Sequence, residues 1–218
     1  APWLTALFTA TSAVCVTGLV VVDTGTYWSP LGQGLVMALF QLGGFGMMTS
    51  ATLMGLLIGG HLKLRTRLLL QSETHALSLG DVRSVARMVL VVTVLVEGLV
   101  ALWLAVRFAQ KMDIGWGEAL WLGAFHSVSA YNNAGFSTWP DSVMRHVTDA
   151  WVLGPLMLAI VVGGLGFPVI TELWANRRKR HARWSIHTTL TVWGSAALVV
   201  LGTLAARSDR LARRAPTG

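Results

Sequence analysis

Two tetrapeptides carry the candidate chemistry of this chain, Cys15-Val16-Thr17-Gly18 and Asn132-Asn133-Ala134-Gly135. Their side chains differ while the closing glycine stays, the pattern expected where main-chain groups do the binding. Glycine adopts positive φ at no steric cost, so a short loop ending in one can turn successive carbonyl oxygens toward a common axis. Oxygens arranged in that way replace the hydration shell of a cation. A short helix aiming its C-terminal end at the same spot adds partial negative charge. The alternative is a tight re-entrant turn that holds no ligand. Beyond the glycines stand Asp23 and Asp141. Either they raise the cation concentration at the mouth of such a site, or they serve as helix caps and loop hydrogen-bond acceptors.

Such loops need an apolar surrounding, and the composition supplies one. Of the 218 residues, 54% are hydrophobic and only 12% charged, about half the charged fraction of a soluble domain, and mean hydropathy is +0.60. The chain therefore reads as an all-α membrane protein. Four stretches are expected to cross a bilayer core, which takes ~20 helical residues: Gly34 to Gly60, Met88 to Val106, Ala150 to Thr171 and Thr189 to Ala206. Glu97 interrupts the second; a carboxylate is costly there, so it should face protein or water and pair with a polar group of a neighbouring helix. Two apolar stretches, Ala1 to Thr11 and Trp116 to Tyr131, are too short to cross and read as re-entrant segments that line a cavity.

Basic residues gather between spans one and two (Lys63, Arg65, Arg67, Arg83, Arg87) and between spans three and four (Arg177 to Arg180, Arg183). Both loops fall on one side, which the positive-inside rule makes the cytoplasm. Arginines flanking helices explain RRKRHAR without nucleic acid. The tail with Arg207, Arg210, Arg213 and Arg214 fits poorly, because four crossings would leave it outside. Trp3, Trp28, Trp116, Trp139, Trp151, Trp174 and Trp184 lie near the expected boundaries, as an interfacial belt would.

The chain also contains itself twice. Leu7 to Leu19 (LFTATSAVCVTGL) overlays Ala124 to Phe136 (AFHSVSAYNNAGF) without a gap, matching Phe8 with Phe125, Ser12 with Ser129, Ala13 with Ala130 and Gly18 with Gly135. Downstream, Gly43 to Gly46 (GGFG) in span one matches Gly163 to Gly166 (GGLG) in span three. Close helix packing is the default reading of these glycines; room behind the loop, or a bend, is the alternative. Each copy reads short helix, glycine loop, spanning helix.

Taken in order, SAVCVTGLVVVDTGTYWSPLGQ, LFQLGGFGMMT, FHSVSAYNNAGFSTWPDSVM and GGLGF resemble the Ktr/Trk/HKT superfamily of potassium-translocating subunits, its KtrB branch above all. The resemblance runs from about Trp3 to at least Thr191. It implies repeated helix–pore-loop–helix units around a pseudo-fourfold axis, with Cys15 to Gly18 and Asn132 to Gly135 as two filter segments and Asp23 and Asp141 in the outer vestibule. Residues 1–60 would then be the pore loop and inner helix of repeat one, and 61–87 a cytoplasmic linker. Residues 88–171 would form repeat two, 172–188 a basic cytoplasmic loop, 189–206 the outer helix of repeat three and 207–218 a basic tail.

Two of four repeats are covered, so a partial or truncated chain is expected. The implied function is potassium uptake, with potassium as the transported ion, sodium as a possible coupling ion and no cofactor. The alternative is a non-conducting truncated or split subunit that only assembles with other chains. Implied surroundings are a plasma membrane crossed several times, membrane lipid, a cytoplasmic nucleotide-binding regulatory subunit of the KtrA/TrkA type and a homodimer in the complete protein. Arg65 and Arg67 could meet that subunit or lipid phosphates. No enzyme is expected: GxSxG and HExxH are absent, no intramembrane aspartate pair could share a proton, and the histidines lack ligand spacing.

Overall fold

In the computed structural model, residues 1–67, 79–177 and 184–214 are described. The expected contacts of Arg65 and Arg67, the middle of the 61–87 linker, Arg178 to Arg183 and the last four residues of the tail lie outside the described residues and side chains. Among those described, every regular element is helical. The helices are α1 (Trp3–Val14), α2 (Thr24–Tyr27), α3 (Pro30–Arg67), α4 (Leu79–Lys111), α5 (Trp116–Tyr131), α6 (Ala150–Leu165), α7 (Phe167–Asn176) and α8 (Ile186–Arg214), with a 3-10 turn at Met144–His146.

The two short apolar stretches are thus helices of 12 and 16 residues, α1 and α5, too short to cross. Within α4, Ala86–Lys111 is long and apolar enough to span, as is Ile186–Ser208 of α8. The third expected span is not one continuous helix. It breaks at Gly166, whose φ of 78° is outside the helical region, with Pro168 following. Helix α8 runs on through Arg207 to Arg214, so these residues prolong the fourth span's helix instead of starting a separate tail.

Residues 1–164 form one compact unit. Its largest apolar core joins α4 to α5 and α6: Leu104 and Phe108 pack with Leu122, Tyr131, Val152 and Leu156. Gly123 permits the close approach, since a Cβ there would lie 2.9 Å from the Ala105 nitrogen. A second core ties α1 and α3 to α5 and the chain after it. There Phe40 stacks on Phe136 at 5.7 Å and meets Phe125 edge-on at 5.6 Å. Trp139 departs from the interfacial expectation. It is buried, stacked on His126 at 4.1 Å and packed edge-on to Phe108, so it belongs to the interior.

In residues 165–218, the second unit, Glu172 of α7 accepts hydrogen bonds from Ser185 Oγ (2.6 Å) and Thr188 Oγ1 (2.5 Å), which fixes the start of α8.

The end of α4 is tied to the start of α6 by one buried carboxylate. Asp149 Oδ2 accepts from Lys111 Nζ (2.9 Å) and Arg107 Nη2 (3.0 Å), while Oδ1 accepts from the Trp151 amide (3.1 Å). Lys111 first, then Arg107, holds this carboxyl at about 2, below its ordinary 3.8. A depressed carboxylate stabilises the fold fully above its unfolded value and loses that contribution as pH falls through the folded one. Acid unfolding of the detergent-solubilised protein should therefore show a stability loss between 3.8 and about 2 that Asp149→Asn removes.

Candidate functional site

Helix α1 ends at Cys15 (φ −79°, ψ −1°) and α5 at Asn132 (φ −77°, ψ −2°). The next residues turn left-handed, Val16 at φ 53° and Asn133 at φ 57°, and each loop closes on a positive-φ glycine, Gly18 at 71° and Gly135 at 75°. The capping bonds repeat as well. Val16 N donates to Ala13 O and Thr17 N to Ser12 O, as Asn133 N does to Ala130 O and Ala134 N to Ser129 O. This crossed pair is a Schellman motif. Asparagine tolerates the left-handed position; a β-branched valine there is strained.

The matched serines do the same work in both copies. Ser12 Oγ donates to the Leu19 carbonyl at 2.7 Å, and Ser129 Oγ to the Phe136 carbonyl at 2.6 Å. Each hydroxyl reaches past the glycine and clamps the far end of its loop. Among the described residues, no hydrogen bond ends on a main-chain oxygen of residues 15–18 or 132–135.

The two loops meet. A Cβ on Gly18 would overlap the Ala134 carbonyl oxygen and lie 3.2 Å from Gly135 Cα, and one on Gly135 would lie 3.5 Å from Gly18 Cα. The following helices press on the loops through the matched glycines. A Cβ on Gly43 would overlap the Val14 carbonyl, and one on Gly163 the Tyr131 carbonyl, the last residue of α1 and of α5 respectively. Gly44 makes room for the Asn132 side chain, whereas Gly46 has nothing within 4 Å of that position among the described residues.

Side chains of the loops face other tasks. Asn132 is 7% exposed and turns back to Gln41 and Glu97. Among the described residues Asn133 makes long contacts, 3.4 Å to the Tyr131 and Ile160 carbonyls. Cys15 is exposed with a free thiol. Thr17 Oγ1 is hydrogen-bonded to Ser12 Oγ at 2.9 Å.

The two acidic residues are engaged locally. Asp23 Oδ1 caps α2 by accepting from the Thr26 amide and hydroxyl, both at 2.7 Å. Asp141 pairs with Arg145 at 2.8 Å, and that hydrogen bond draws its carboxyl below the usual range. His126 accepts or donates at both ring nitrogens, to the Leu122 carbonyl (2.8 Å) and Ser137 Oγ (3.1 Å). No cluster of metal-ligating side chains occurs among the described residues.

The model of the TrkH cation transport protein family matches residues 1–200. The Ktr system potassium uptake protein B of Bacillus subtilis (strain 168) is 38% identical over 202 residues, 93% of this chain and 44% of its own length. The Ktr system potassium uptake protein B of Vibrio alginolyticus is 36% identical over 199 residues (91% and 43%). The potassium/sodium uptake protein NtpJ of Enterococcus hirae is 31% identical over 200 residues (92% and 44%). The chain thus spans less than half the length of these curated relatives. Members of the family are transporters, not enzymes, and the apolar helices place this chain among membrane proteins. With matched glycine loops, matched serine clamps and a family match over residues 1–200, the chain belongs to the TrkH family of cation transport proteins.

Proposed function

We propose that this chain contributes to potassium uptake across the plasma membrane, and that residues 15–18 and 132–135 are two walls of its selectivity filter. The observation that carries the reading is the duplicated backbone. Two loops with the same sign changes in φ lie against each other, and their main-chain oxygens receive no donor among the described residues. Eight unengaged carbonyls are the chemistry that replaces water around an alkali cation. Unlike side chains at three of the four matched positions leave the main chain as the shared ligand. The names of the relatives support potassium, or potassium with sodium, as the cargo.

Asp23 and Asp141 stand on the outer side of these walls, where their charge favours cations; the Arg145 pairing leaves Asp23 the stronger contributor. A protein that crosses the membrane several times and assembles with a cytoplasmic nucleotide-binding regulatory subunit, and with a second copy of itself, accords with two relatives being named as parts of a Ktr system.

Growth at limiting potassium, in cells lacking their own uptake systems and expressing the protein, tests the reading. Rescue by the parent and none by Gly18→Asp together with Gly135→Asp is expected. Rescue undiminished by both substitutions would remove the filter assignment. A chain that reaches the membrane without supporting growth would be an assembling, non-conducting subunit.

A further inference from the structure

Glu97 sits midway along α4, 7% exposed, inside a helix long and apolar enough to span. A carboxylate in that position is retained only with partners, and two side chains supply them. Gln41 Nε2 of α3 donates to Oε2 at 3.1 Å, and Asn132 Nδ2 donates to Oε1 at 3.1 Å. Asn132 Nδ2 also reaches Gln41 Oε1 at 2.6 Å and the Val128 carbonyl at 2.9 Å. The three side chains form a triangle joining α3, α4 and the C-terminal cap of α5. Gly44 is part of the arrangement, because a Cβ there would collide with the Asn132 amide.

Asn132 is the first residue of the second glycine loop. Among the described residues the first loop has no such brace: its matched residue, Cys15, is exposed. That loop is held by the Ser12–Thr17 bond, both partners lying within its own segment. Both loops share the serine clamp, and the second is restrained in addition from two other helices. Glu97 accepts at both carboxyl oxygens and so ties the first residue of the loop to α3 and α4 at once, and a buried side-chain network of this kind stiffens the segment it holds.

We propose that Glu97 is a positioning residue for ion discrimination: through Asn132 and Gln41 it fixes the second filter loop against the inner and outer helices of the chain. The inference rests on the filter reading of that loop. A loop whose carbonyls are held at one radius distinguishes potassium from the smaller sodium; one free to contract loses the distinction. Glu97 touches no ion.

The test compares rubidium uptake, and its competition by sodium, in cells expressing the parent, Glu97→Leu, Glu97→Gln, Ser127→Ala and Gly135→Ala, each scaled to protein in the membrane. Glu97→Leu should reduce the potassium-over-sodium preference by about tenfold, the equivalent of losing one buried hydrogen bond to the loop. Glu97→Gln keeps the shape and one acceptor oxygen, which can still face Asn132, and should retain part of the preference. Ser127→Ala removes only the bond to the Glu97 main-chain carbonyl (2.7 Å) and should leave the preference at the parental value. A parental preference in Glu97→Leu overturns the proposal. So does equal loss in Glu97→Gln and Glu97→Leu, because then an acceptor kept toward Asn132 makes no difference. Should Glu97→Leu fail to accumulate, Gln41→Leu breaks the same triangle from its half-exposed corner, and a parental preference there is the overturning result. An unchanged preference in Gly135→Ala would instead defeat the filter reading itself.

Discussion

Gly18→Ala should lower potassium uptake on the order of a hundredfold, and Gly135→Ala about tenfold, taking roughly 1–3 kcal/mol for backbone strain at a functional site and a factor of ten per 1.4 kcal/mol. Both glycines have φ above 70°, where a Cβ is strained. Their surroundings set the order. At Gly18 the new methyl would overlap the Ala134 carbonyl oxygen and crowd Gly135 Cα at 3.2 Å, so either loop must shift. At Gly135 the nearest atom, Gly18 Cα, lies at an ordinary 3.5 Å, leaving conformational strain alone. If the loops relax to negative φ, their carbonyls rotate and the coordinating set is lost. Uptake measured per inserted molecule checks the ranking; equal effects would mean that the loops do not pack as described.

Gly163→Ala should unfold the second repeat's packing, at a cost of about 1–3 kcal/mol for an overpacked contact and more where backbone must move. The colliding atoms are the Tyr131 carbonyl oxygen and its carbon, the latter 2.9 Å from the new Cβ. Neither can turn aside as a side chain would. Displacing α6 pushes on the end of α5 and so on the loop at Asn132. Gly46→Ala, from the matching GGFG motif, meets nothing within 4 Å among the described residues. It should be neutral or stabilising by up to about 1 kcal/mol, the helix propensity of alanine over glycine. Thermal unfolding in detergent separates the two: a lowered midpoint for Gly163→Ala and an unchanged or raised one for Gly46→Ala.

That contrast also marks what the sequence could reveal. GGFG and GGLG announce close packing as motifs, but three glycines within four residues point to different sides of a helix. Only the neighbouring strand of contacts tells that Gly43 and Gly163 face carbonyls while Gly46 faces none. The repeat itself was legible because the same local bonds need the same residues. A hydroxyl must stand seven residues before the carbonyl it clamps, so Ser12 and Ser129 are matched, and each loop must close on a residue free to take positive φ.

Glu97 was legible as a residue in need of a partner, since an apolar span tolerates a carboxylate only when paired. Its partners were not, because Gln41 and Asn132 are 56 and 35 positions away and no periodicity links them. Asp23 illustrates the opposite limit. An acidic residue after a pore loop suits both a vestibule and a helix cap, and its bonds to Thr26 show the cap directly. The break at Gly166 is the bend that the GGLG motif offered as its alternative reading; composition does not show it, since the apolar run continues into Pro168, Val169 and Ile170. Trp139 was misplaced for a related reason: tryptophan belongs equally to interfaces and interiors, and its stacking on His126 decides for the interior.

Anomalous scattering from crystals of the protein grown in rubidium or thallium would locate the bound cation directly. The expected peak lies between residues 15–18 and 132–135, with main-chain oxygens of both loops as its nearest atoms. A transporting protein whose only bound cation sits on carboxylates such as Asp23 or Asp141, with the glycine loops empty, would contradict coordination by the main chain.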